Sequence, residues 1–148
     1  MPMIDIYATA GTFGDPHKLA ADAAATVKTI EAVPDIPMFK KNTAAFVHDL
    51  PQGAISNVDG DSNYVRVQVL TNQGALDRAK QLAVVEKLTE LVAAAAGDPT
   101  LKERTWVLLT EAAPGGWACG AMPIPMKNLL RQPGQKLPNS RANASLYH

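Results

Sequence analysis

The sequence predicts an α/β fold: two tandem strand–helix–strand (βαβ) units forming a four-stranded mixed sheet with both helices on one face. Three observations predict it. Apolar residues recur with a period of two in some segments and near 3.6 in others. The order strand, helix, strand runs once and then repeats. Clusters of glycine, proline, asparagine and aspartate separate the segments.

The elements follow in order. Met3 to Ala8 alternates apolar and polar, as a half-buried strand does. Gly11, Gly14 and Pro16 punctuate a loop, with Asp15 placed as N-cap before a proline at the first helical position. The helix runs to about Glu31 on a stripe of Leu19, Ala23, Val27 and Ile30. Pro34, Asp35 and Pro37 end it. Thr43 to Leu50 is a second strand, closed by Pro51-Gln52-Gly53. A turn-rich segment from Asn57 to Asn63 then leads into Tyr64 to Leu70, where Val65, Val67 and Val69 share one face. A long helix is expected from about Leu76 to Ala96, with Leu82, Val85, Leu88 and Val92 on its apolar side and Gly97 stopping it. Thr105 to Thr110 is the fourth strand. The expected organisation is one domain over 1–121, with units 2–53 and 63–121, and an irregular C-terminal arm over 122–148.

Two such units leave one sheet face without helices. Phe46, Val47, Trp106 and Leu108 make the strands too apolar to stay half wet, so association with other subunits through that face is expected.

Composition narrows the function classes. The chain has 148 residues, 47% of them hydrophobic, enough for a core. Charge is balanced, 14 basic against 14 acidic residues, and no basic run exceeds Lys40-Lys41. Nucleic acid and anionic membrane are therefore not expected partners. The single cysteine, Cys119, excludes an internal disulfide and fits a reducing compartment. Asp5 interrupts the apolar start, so a secretory signal is not expected and the cytoplasm is. No His, Cys, Asp or Glu cluster has metal-ligand spacing, and no phosphate-binding glycine loop is present, so no cofactor is expected.

The chemistry expected of the chain starts at its second residue. Methionine excision acts where that residue is small, and Pro2 qualifies. The product begins with a secondary amine on the first residue of a strand. An ordinary α-amino group titrates at roughly 7.7–8.0. An apolar pocket penalises the ammonium and lowers that value, which suits a proton carrier near neutral pH.

The Met1-Pro2 start, the duplicated units, and Leu109-Thr110-Glu111 followed by Pro114-Gly115-Gly116-Trp117 together resemble the tautomerase superfamily. Its short members, such as 4-oxalocrotonate tautomerase, are one βαβ unit; longer members, such as cis-3-chloroacrylic acid dehalogenase, fuse two. The resemblance covers roughly residues 2–120. It implies that Pro2 is catalytic and that Asn63, at the equivalent position of the second half, supplies no second amine. It implies that Trp117 keeps the proline's surroundings apolar, and that Trp106 stands where the short enzyme has a substrate-binding arginine. It also implies a homotrimer.

The departures matter equally. The loop Thr71-Asn72-Gln73-Gly74-Ala75 lacks the arginines that grip carboxylates in the family. Leu108 replaces the dehalogenase's tyrosine, and Thr29 or a neighbour its helix histidine. Arg66, Arg78, Asn72 and His48 are the candidates to stabilise a developing enolate oxygen. The implied function is cofactor-independent keto–enol proton transfer by Pro2 on a small enol or α-keto acid. Alternatives are a decarboxylase or hydratase at the same proline, or a non-catalytic oligomeric protein of the same fold.

Overall fold

The computed structural model describes residues 1–120 and the backbone of 122–123. Apart from those two positions, the arm expected over 122–148 lies outside the described residues.

β1 (Met3–Thr9) alternates as expected, with Ile4, Ile6 and Ala8 fully buried. α1 (Pro16–Glu31) starts as the sequence indicates: the Asp15 side chain accepts from the Lys18 backbone amide, and Pro16 opens the first turn. Leu19, Ala23 and Val27 are buried, and Ile30 packs beside them. A short helix that the sequence reading lacked, α2 (Pro37–Lys41), follows. In the sequence Pro34 and Pro37 read only as a stop. Pro37 instead opens a new turn, because its fixed φ suits a first helical position, and this turn buries Phe39.

β2 (Ala44–Leu50) runs parallel to β1, pairing Met3 with Ala44 through Thr9 with Leu50. β3 (Val65–Asn72) runs antiparallel to β1, and β4 (Thr105–Ala112) parallel to β3. The sheet is four-stranded and mixed, in the order β2-β1-β3-β4. Each parallel pair is one βαβ unit, and β1 and β3 join the two at the centre.

α3 (Arg78–Ala96) starts at an Asp77 cap and ends at Gly97, in the left-handed region at φ 64°. Its expected apolar face needs correction. Val84, Leu88 and Val92 are buried, at i, i+4, i+8, whereas Leu82 and Val85 are exposed. Of two overlapping stripes, the one ending in Ala93 meets the sheet. A 3-10 turn over Pro99–Arg104, capped by the Asp98 side chain, leads into β4.

The core lies between the sheet and the two long helices. It joins Ile4 and Ile6 of β1, Val65, Val67 and Val69 of β3, Leu19 and Val27 of α1, and Leu88 and Val92 of α3. The other face carries no helix. Phe46 at 50%, Trp106 at 40% and Leu108 at 41% exposure stand on it. Val47, expected there too, faces the core because its register partner is Ile6. Among the described residues no helix is long and apolar enough to cross a membrane.

β5 (Ala118–Cys119) pairs antiparallel with β6 (Met122–Pro123), forming a small hairpin after the Trp117 loop. Cys119 is exposed.

Candidate functional site

The N-terminus is a buried polar point of the described chain. The Met1 side chain is fully buried among Phe39 and Trp117, with Met3, Val33 and Ala112 packed against them. Pro2 is buried, and its carbonyl accepts a 3.2 Å hydrogen bond from the Ala44 amide, which fixes it at the start of β1. The Met1 amino group donates to Glu31 Oε1 at 3.2 Å and to Asn72 Oδ1 at 3.3 Å.

Each contributor is positioned by its element. Glu31 is the last residue of α1, and its side chain is 1% exposed. Its Oε1 takes the amine; its Oε2 is buried with no hydrogen-bond partner among the described residues. The Lys80 ammonium, half-buried on α3, donates to the Glu31 carbonyl at 3.0 Å, a cation at the negative end of a helix. Asn72 ends β3, and its carbonyl accepts from Ala75 to start the turn into α3. Glu111 on β4 accepts from the Gly74 amide at 3.2 Å and steadies the same turn.

Trp117 arrives by a tight turn. The Gly116 amide donates to the Ala113 carbonyl at 2.7 Å. A Cβ at Gly116 would lie 2.9 Å from that carbonyl oxygen, so only glycine fits without displacing the backbone. Phe39 arrives with α2. Asp35 bridges Lys28 of α1 at 2.9 Å and Lys40 of α2 at 3.1 Å, tying α2 to α1. Those two lysines, Lys28 foremost, hold the Asp35 carboxyl below its ordinary range. Beside the cluster lies a cavity of about 400 Å³ walled by Met3, Asn42, Trp117 and Cys119.

Of the sequence-predicted residues, Pro2, Asn72 and Trp117 meet here. His48, Arg66 and Trp106 lie toward the far end of the open sheet face. Arg66 is four residues along β3 from Leu70, which pairs with Met3; at roughly 3.3 Å per residue that is about 13 Å. There His48 Nε2 lies 2.7 Å from Asp5 Oδ1, and its ring stacks on Tyr7 at 4.3 Å. Arg66 sits over Tyr7 at 5.6 Å, and Trp106 stacks on Tyr64 at 4.6 Å. Arg78 opens α3 and is exposed.

Three contributors escaped the sequence reading: Glu31, Phe39 and Lys80. Glu31 did leave a signal. An acidic side chain in the last turn of a helix opposes the macrodipole. The surroundings are thus not purely apolar, as expected of Trp117's pocket. A carboxylate and an amide stand within them.

The second half has a counterpart at the opposite sheet end. Asn63 lies two residues before β3, where Pro2 lies one before β1, beside a cavity of about 600 Å³ that Thr9, Asp61, Asp98 and Arg104 help line. Arg104 is committed there, to the Asn63 carbonyl and Asp98 Oδ2, each at 3.0 Å. Among the described residues no group of three or more His, Cys, Asp or Glu side chains is disposed to hold a metal ion.

No protein-family model and no curated protein sequence matches this chain. Solved structures match it in fold. F6, a wild-type fused 4-OT forming an asymmetric trimer, superposes with a TM-score of 0.68 at 15% identity, over 87% of this chain and 99% of that one. Pt0534 inactivated by 2-oxo-3-pentynoate gives 0.69 at 20% identity, over 87% and 99%. N1, a member of the cis-3-chloroacrylic acid dehalogenase (cis-CaaD) family, gives 0.60 at 18%, over 89% and 85%.

Proposed function

Starting from a chain that has the two-unit fold of the tautomerase superfamily, we propose that it is a cofactor-independent tautomerase whose Pro2 amine shuttles the proton. The observation that carries this reading is the chain start itself. Pro2 is buried and pinned at the head of β1, and the residue bonded to its nitrogen, Met1, packs with Phe39 and Trp117 and meets Glu31 and Asn72 through its amine. Removal of Met1 leaves the Pro2 nitrogen facing the volume that Met1 fills.

In the reaction, the neutral amine takes a proton from an enol hydroxyl or from the carbon next to a carbonyl. The prolinium returns a proton to the other end of the conjugated system. The Asn72 amide stands where it can steady the developing oxyanion by turning its N–H toward it. Two influences act on the Pro2 amine in opposite directions: apolar burial favours the neutral form, and the Glu31 carboxylate favours the ammonium.

The catalytic unit is residues 1–121, acting as a cytoplasmic homotrimer on a small enol or α-keto acid. Trimers of fused 4-OT support the assembly, as does the open face bearing Phe46, Trp106 and Leu108. In that assembly Arg66, His48 and Trp106 belong to the seam between subunits, while Arg78 stays at the outer end of α3.

A second reading has its own observation. The Met1 amine is bound at 3.2 and 3.3 Å and its side chain is fully buried. A retained Met1 would plug the site and make the Pro2 nitrogen an amide, leaving a non-catalytic oligomer. The test is exchange of the α-hydrogens of a small ketone or α-keto acid in D2O, followed by proton NMR. Wild type accelerates it and Pro2→Ala loses about 100-fold or more; equal rates for the two would refute the proline mechanism.

A further inference from the structure

Met1 behaves as a built-in ligand and shows what its pocket accepts. Its apolar side chain lies between Phe39 and Trp117, and its hydrogen-bond donor meets the Glu31 carboxylate and the Asn72 amide oxygen. The polar end of the pocket is therefore an acceptor, whereas a site for carboxylates needs donors and cations. Glu31 Oε2 is buried and unpartnered among the described residues, a cost that a second donor from a bound molecule would relieve. The cation at hand, Lys80, is bonded to the Glu31 backbone carbonyl.

We propose that Glu31 is a second catalytic group of the Pro2 site, taking the hydroxyl proton of the enol, and that the site selects uncharged enols and ketones over carboxylate-bearing ones. This rests on the proline reading and names its substrate class. The Met1 and Pro2 nitrogens are separated by one residue's backbone, about 3 Å on standard geometry. A substrate seated in Met1's volume thus spans from Glu31 to the proline amine.

The steps balance. Here Glu31 replaces the neutral amine as acceptor and Pro2 enters as the prolinium: the enol O–H breaks and its proton passes to the Glu31 carboxylate. The oxygen lone pair forms the C=O bond, and the C=C electron pair takes a proton from the prolinium nitrogen. The products are the ketone, neutral Pro2 and protonated Glu31. Transfer of that proton from Glu31 back to Pro2 restores the starting state. The reverse sequence enolises the ketone. A substrate carboxylate would face the Glu31 carboxylate in a buried setting, where like charges repel strongly.

The test uses two ketones of one shape: phenylacetone, uncharged, and phenylpyruvate, with a carboxylate where phenylacetone has a methyl group. Exchange of the benzylic hydrogens in D2O is followed by proton NMR and divided by the uncatalysed rate of each. The protein is the full chain shown by mass to begin at Pro2. Wild type is expected to favour phenylacetone by about tenfold or more, and Glu31→Gln to lose about 100-fold, within the usual span for a general acid–base group. Preference for phenylpyruvate in the wild type overturns the proposal without needing any variant. So does exchange that Pro2→Ala abolishes and a folded Glu31→Gln retains. No catalysed exchange of either ketone refutes the proline reading itself, and this proposal with it.

Discussion

Replacing Phe39 with alanine probes the wall of the site and the helix that carries it. Phe39 is 1% exposed and touches Met1 and Trp117 in a cluster separate from the main core. Truncating a buried phenylalanine costs about 3–5 kcal/mol where the surroundings stay packed, part of it for the cavity left behind. If Met1 is retained, Phe39 sits in such a surrounding and the full range applies. If Met1 is excised, one wall is already open to water, the cavity term falls away, and the transfer cost of about 2–3 kcal/mol remains. Urea unfolding of wild type and Phe39→Ala, with intact mass identifying the form present, reads the difference. With a urea m-value of about 2 kcal/mol/M the midpoint falls by about 1–1.5 M for the excised form and by about 1.5–2.5 M for the retained one. A fall below about 0.3 M would refute the anchoring role of Phe39 and the burial from which it is argued.

Leu108→Lys places a charge on the open sheet face; it is expected to shift the assembly to monomers in sedimentation velocity, with the secondary structure kept. Gly97→Ala forces a side chain into the left-handed cap of α3, costing about 1–2 kcal/mol, visible as a lower thermal midpoint. Asp35→Asn should lower stability at neutral pH. The Asp35 carboxyl is held below its ordinary value of 3.8 by Lys28 and Lys40. Its contribution is therefore present above that value and lost as pH falls through the lower folded value. Unfolding curves of wild type and Asp35→Asn should converge in acid and separate at neutral pH.

The framework of the fold was legible because period and punctuation agreed. The alternation of Val65, Val67 and Val69 and the Asp15-Pro16 start of α1 appear in the structure as they read in the sequence. The α3 stripe was misread because a helix rich in Ala, Leu and Val offers overlapping apolar faces, and contact with the sheet chooses between them. α2 was missed because five residues carry too little period to show. Motif and position single out Pro2, Asn72 and Trp117 in the sequence, and the structure brings Asn72 and Trp117 to the chain start. Glu31 is not singled out, because it becomes a site residue only where the end of α1 meets the chain start, 30 positions away in sequence. Lys80 is 49 positions from its partner and equally invisible to local pattern.

The central claim is that the chain works from a free Pro2 amine, and the intact mass of the purified protein addresses it most directly. Loss of one methionine residue, leaving a chain that begins at Pro2, is the predicted result. A mass that retains Met1, in protein from its native host as well as from an expression strain, would contradict the account: the Pro2 nitrogen would be an amide, and Met1 a permanent part of the core.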